Sequence, residues 1–234
     1  MAGAVAEKPT RLVTASEPLT VTAPPPRFVS RAGFKLDAAL EHFGVAPVGR
    51  VTLDVGSSTG GFTDCLLARG AATVHAVDVG TNQLHERLRG DPRVVVRERT
   101  DIRAIAGDEI PAACDLVTVD VSFISLVPLA GKLVELAGPE GELVVLVKPQ
   151  FEATRLEADR GAGVITDPAV WRRALTRTAA AFERAGAGMM GVMASPIRGA
   201  TGNVEFFVHL AGSGPGAAAG DLQSEITRVI GDLD

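Results

Sequence analysis

The sequence predicts an α/β fold on a mostly parallel sheet, and three observations carry that expectation. Short apolar runs alternate with helical patterns from Val51 onward. A glycine loop, Asp54-Val-Gly-Ser-Ser-Thr-Gly-Gly-Phe-Thr63, directly follows the first run. Later runs end in charged residues, Asp120 and Lys148, at the strand ends where open α/β sheets bind ligands.

Taken in order, residues 1–26 are polar and finish in Ala23-Pro-Pro-Pro26, a stiff segment that continues neither a helix nor a central strand. Ser30 is expected to cap a helix whose apolar positions are Phe34, Leu36, Ala39, Leu40 and Phe43. Strands are expected at 51–55, 73–77, 93–97, 115–120, 143–148, 189–194 and 203–210, and helices at 61–69, 82–89, 125–137 and 168–185. Near-continuous apolar strands imply a sheet covered on both faces. Right-handed crossovers then bring the carboxyl ends of the parallel strands to one edge. No helix separates the last two strands, so they should form an antiparallel hairpin. This is a Rossmann-like, seven-stranded arrangement spanning 27–210. A Gly/Ala linker then leads, within 211–234, to a short helix with Leu222, Ile226, Val229 and Ile230 on one face.

Bulk properties narrow the function classes. A chain of 234 residues with 46% hydrophobic content can bury one full core. Mean hydropathy is +0.22, yet no stretch reaches the ~18 uncharged apolar residues of a membrane span. Glu7 and Lys8 stand where a signal peptide would be apolar. Cys65 and Cys114 form no CxxC pattern and read as reduced core thiols. The expectation is a cytoplasmic protein with no membrane partner. His42, His75, His85 and His209 show no metal-ligand spacing, so no metal is expected. The net charge of −5 means that nucleic acid would have to be met by local basic positions, with Arg27, Arg31, Lys35 and Arg50 the candidates.

The loop spacing is GxxxGG rather than the GxGxxG that cradles a pyrophosphate, so a nucleoside-like ligand without phosphates fits better, and S-adenosylmethionine is one. Candidate contacts are Asp54, Gly56, Ser57, Gly60, Gly61 and Phe62, with Asp120 at the end of the fourth strand. Asp78, at the end of the second strand, suits ribose hydroxyls, and Asp101, past the third, suits an adenine amino group. Lys35, Asp120, Lys148 and Glu205 each interrupt an apolar segment. Such a cluster can activate a weak nucleophile such as a ribose hydroxyl. A lysine of ordinary pKa, about 10.4, holds its proton too firmly to act as a base, so desolvation or a second cation must lower it. Asp120 would orient it and balance its charge. These features imply a class I S-adenosylmethionine-dependent methyltransferase.

The motifs Ser30-Arg-Ala-Gly-Phe-Lys-Leu36, Asp54-Val-Gly-Ser-Ser-Thr-Gly-Gly-Phe-Thr-Asp-Cys65, Asp120-Val-Ser-Phe-Ile-Ser125, Val147-Lys-Pro-Gln-Phe-Glu152 and Gly202-Asn-Val-Glu-Phe206 closely resemble the TlyA-type proteins. These are named as hemolysins but belong among the FtsJ-like rRNA 2′-O-methyltransferases. The resemblance runs from about Phe28 to Leu210. It implies cytidine 2′-O-methylation in ribosomal RNA or ribosomal subunits, with a K-D-K-E tetrad at Lys35, Asp120, Lys148 and Glu205. It also makes residues 1–26 look like the second half of an S4 RNA-binding domain. The chain departs from the pattern at Ala32 (glycine in the family), Thr81-Asn82 (Tyr-Gly) and Asp101 (Asn). Two other readings stand beside it: a small-molecule O-methyltransferase, and a non-enzymatic hemolysin-like binding protein.

Overall fold

A computed structural model describes residues 26–106, 110, 113–212 and 219–233, together with Thr14. The expected S4-like remnant and most of the Gly/Ala linker lie outside the described residues, as does the side chain of Leu222.

Seven strands form one sheet: β1 (Val51–Val55), β2 (Thr73–Val77), β3 (Val94–Arg97), β4 (Leu116–Val119), β5 (Glu142–Val147), β6 (Gly188–Ala194) and β7 (Phe206–Ala211). Their order is β3-β2-β1-β4-β5-β7-β6. β1 to β5 run parallel, while β7 is antiparallel to both of its neighbours, which gives the expected C-terminal hairpin. The helices are α1 (Ala32–Phe43), α2 (Gly61–Ala68), α3 (Glu86–Arg89), α4 (Ala130–Ala137), α5 (Pro149–Glu152), α6 (Arg155–Arg160), α7 (Pro168–Arg184) and α8 (Ala219–Gly231).

The central strands are buried on both faces because each face has its own core. Along β5, Leu143, Val145 and Val147 join a cluster with Leu133, Trp171, Phe182 and Ile226. Val144 and Leu146 point the other way, toward Phe28, Leu36, Leu40, Phe62 and Leu66. This period-two division is what a strand covered on both sides requires. Cys65 and Cys114 are buried free thiols, and burial pushes them up to about 12 and about 11. Among the described residues, no helix is long and apolar enough to cross a membrane.

Three expected elements differ. Ser30 does not cap α1, which begins from Arg31 with no side-chain cap. The Ser30 hydroxyl instead fills the space that a Cβ on Gly61 would need. The helix expected over 82–89 shrinks to α3 because Glu98 takes the backbone N–H groups of Asn82, Gln83 and Leu84. The segment 125–137 divides at Pro128 into a short 3₁₀ turn, Val127–Leu129, followed by α4.

Candidate active site

Strand direction assembles the charged cluster. Asp120 follows β4 and Lys148 follows β5, both at the carboxyl edge of the parallel strands. β7 runs antiparallel with Phe206 opposite Val147, so Glu205, one residue before β7, reaches that same edge. Glu205 thus precedes the strand rather than lying within it, as 203–210 had implied. Lys35 arrives from the first turn of α1.

The four residues form two close pairs. Lys35 Nζ donates to Glu205 Oε2 at 2.6 Å, with both side chains buried. Lys148 Nζ lies 2.6 Å from Asp120 Oδ1 and donates to Ser122 Oγ at 2.8 Å. All four line one cavity of about 570 Å³, together with Ser57, Gly61, Phe62 and Phe151. Glu205 needs Gly199 beside it, because a Cβ there would stand 2.5 Å from Glu205 Oε1.

A second cavity, of about 450 Å³, lies alongside. Val77, Val79, Ile102 and Leu129 supply apolar walls, while Asp78, Asp101 and Asp120 supply carboxylates. Gly56, Ser58, Asp120, Ser122 and Phe123 line both cavities. Gly56, at φ +85°, makes the shared wall thin: a Cβ on it would stand 2.5 Å from the Asp120 carbonyl oxygen. Asp78 is fixed by accepting from the N–H groups of Ser58 (2.8 Å) and Gly80 (2.6 Å). Asp101 caps a 3₁₀ turn and pairs with Arg103 at 2.5 Å, which holds its carboxyl at about 2. Asn82 has φ +53°, a left-handed backbone that asparagine tolerates.

Five of the expected loop contacts lie outside the second cavity: Ser57, Gly61 and Phe62 line only the first, and two residues line neither. Gly60 lines neither cavity; its α-carbon faces Leu84 and Leu88, where a Cβ would meet Leu88 Cδ1 at 2.2 Å. Asp54 also lines neither. It is fully buried behind the loop, accepting from Thr63 Oγ1 at 2.6 Å, and its other oxygen has no hydrogen-bond partner. Burial, opposed by the Thr63 bond and aided by the charge of Asp120, pushes its carboxyl up to about 7. An acid raised in the folded state is protonated there while the unfolded chain is already ionised, so stability should fall as pH rises from about 4 to about 7. At roughly 1.4 kcal/mol per pH unit, the loss is on the order of 4 kcal/mol. Urea unfolding of wild type and Asp54→Asn across this range checks it. The variant should show the flatter profile; identical slopes would refute the assignment.

The basic candidates separate. Arg31 is exposed on the wall of the first cavity. Arg27 pairs with Asp37 at 2.5 Å and lies over the Phe28 ring. Arg50 precedes β1 and pairs with Glu142 at the start of β5, so it stands at the opposite edge of the sheet, away from the cluster. Sequence reasoning missed Ser122, Phe123 and Gly199, none of which interrupts an apolar run. Among the described residues, no group of three or more His, Cys, Asp or Glu is placed to hold a metal ion.

Comparisons with known proteins place the chain in a family. The model of the FtsJ-like methyltransferase family matches residues 28–211. A Mycobacterium tuberculosis protein named 16S/23S rRNA (cytidine-2′-O)-methyltransferase TlyA is 46% identical over 209 residues, 89% of this chain and 78% of that protein. YqxC of Bacillus subtilis, named as an rRNA methyltransferase, is 44% identical over 226 residues, 96% of this chain and 80% of its own. The crystal structure of a Lactococcus lactis protein named as a hemolysin superposes with a TM-score of 0.83 at 41% identity, covering 88% of this chain and 98% of that one.

Proposed function

The chain belongs to the FtsJ-like methyltransferase family, and we propose that it moves a methyl group from S-adenosylmethionine to the 2′-hydroxyl of cytidine in ribosomal RNA. One observation carries this reading: two lysine–carboxylate pairs converge on a cavity that shares its Asp120 wall with a second, carboxylate-lined cavity. The donor set of the second cavity suits the cofactor. Its acids would repel a phosphate, whereas they favour a ligand carrying an amine and a sulfonium. Its apolar walls suit a flat base, and Asp78 suits ribose hydroxyls.

When bound, the cofactor supplies an electrophilic methyl on sulfur. The residues of this chain do the rest. Lys148, as the neutral amine, accepts the proton of the acceptor hydroxyl while Asp120 orients it. The Lys35–Glu205 pair borders the same cavity and positions the ribose. Aligning oxygen, methyl and sulfur in line supplies much of the remaining rate. Residues 1–26 are read as a remnant of an S4-like domain with a Pro-rich linker, Arg31 as a phosphate contact at the cavity mouth, and the cytoplasm as the place of action.

Incubation with labelled S-adenosylmethionine and purified 30S and 50S subunits tests the reading. Label should enter rRNA, and transfer should weaken as salt rises, since phosphate contacts release counterions. Cofactor binding without label in either subunit would favour a small-molecule acceptor.

A further inference from the structure

We propose that Ser122, held in place by the buried carboxylate of Glu152, is a positioning residue that aims the lone pair of Lys148, a role that rests on the function proposed above. A neutral amine has two N–H bonds and one lone pair. Lys148 Nζ donates to Ser122 Oγ at 2.8 Å, while Asp120 Oδ1, 2.6 Å away, is an ion-pair neighbour outside hydrogen-bond geometry. With one N–H committed to Ser122 Oγ and Cε fixed by the chain, the lone pair keeps only two tetrahedral directions, and the adjacent Asp120 charge favours the one that leaves an N–H on its own side. Asp120 alone, a charge contact rather than a directional bond, would leave the amine free to rotate about Cε–Nζ. Ser122 removes that freedom, so the lone pair meets the acceptor hydroxyl without a search over rotamers.

Ser122 is exposed in the wall shared by both cavities, and a local loop would not hold it. Its neighbour Phe123 has φ +65°, a left-handed backbone that a residue with a side chain adopts only when its surroundings enforce it. Glu152 supplies the enforcement. This residue ends α5, the short helix that begins directly after Lys148. Its Oε1 accepts from the Leu126 N–H and its Oε2 from the Ser125 hydroxyl, both at 2.6 Å. Ser125 Oγ in turn accepts from the Val127 N–H at 3.2 Å. The turn that carries the lysine is thereby tied to the loop that carries the lysine's hydrogen-bond acceptor. Other charged groups on the cavity wall are Arg31, Lys35 and Glu205, and Arg177 of α7 faces Glu152.

The test follows Lys148 directly. The lysines of this chain are Lys8, Lys35, Lys132 and Lys148, so ¹³Cε-lysine labelling gives a spectrum in which Lys148 is assigned by its loss in Lys148→Arg. Ser122→Ala should move the Lys148 titration midpoint by about half a pH unit or more. It should lower kcat about ten-fold or more with KM for S-adenosylmethionine changed less than about two-fold. Glu152→Ala should act in the same direction. Ser122→Thr, which keeps the hydroxyl, should recover most of the rate, as should Glu152→Gln, which keeps an acceptor for the Leu126 N–H. An unmoved Lys148 midpoint with wild-type kcat in Ser122→Ala would overturn the proposal. If the wild-type protein leaves rRNA unlabelled, the functional reading fails, and the titration alone still decides whether Ser122 and Glu152 set the state of Lys148. Because Ser122 is exposed, its alanine variant tests position rather than folding.

Discussion

Lys148→Ala is expected to lower methyl transfer by roughly 10²- to 10⁴-fold, the usual contribution of a positioned general base. The same variant should keep its fold and its cofactor affinity. Lys148 stands one residue beyond β5 and lines the first cavity but not the second. Its loss leaves Asp120 without a partner, but that carboxylate borders two open cavities and can be hydrated. Single-turnover transfer measured beside calorimetric cofactor binding separates the two effects. Turnover near the wild-type rate would remove Lys148 from the base role, and lost cofactor binding would show that the two cavities are less independent than their linings suggest.

Glu205→Ala is expected to act on stability as well as on rate. Lys35 and Glu205 are buried against each other, and deleting one member leaves a buried charge without compensation, which costs about 3–5 kcal/mol. The denaturant midpoint should fall accordingly, while Glu205→Gln, which still accepts a hydrogen bond, should fall less. Gly199→Ala should shift in the same direction, because its new Cβ would crowd Glu205 Oε1 and loosen the pair without removing a charge. A Glu205→Ala variant as stable as wild type would mean that water reaches Lys35 and that the pair is not a dry one.

The fold was legible where the chain's own pattern decides it. β1 and β2 are short, valine-rich runs that end at Gly56 and Asp78, so 51–55 and 73–77 coincide with the observed strands. The four charged site residues were legible for a related reason: a charge inside an apolar run has no place in a two-sided core unless it ends the strand at a site. Contacts between distant segments left no such mark. Glu98 dismantles the first turns of the 82–89 helix from 14–16 residues away. Arg50 finds Glu142 across 92 residues of sequence, which removes it from the RNA-facing candidates. Asp54 sits in the loop motif yet turns into the core toward Thr63, and no local periodicity distinguishes that from turning toward a ligand. The bonds from Glu152 to Ser125 and Leu126 span 27 and 26 residues, so the polar residues that steady the lysine were invisible although the lysine was not.

The central claim is that the acceptor atom is a ribose 2′-oxygen. Methylation there blocks the neighbouring hydroxyl from attacking the phosphate, so alkaline hydrolysis leaves a dinucleotide intact at each modified site. After transfer from labelled S-adenosylmethionine to purified subunits, label is predicted in alkali-resistant dinucleotides whose 5′ member is cytidine, and in none when Lys148→Ala is used. Label released entirely as mononucleotides would place the methyl on a base and contradict the account.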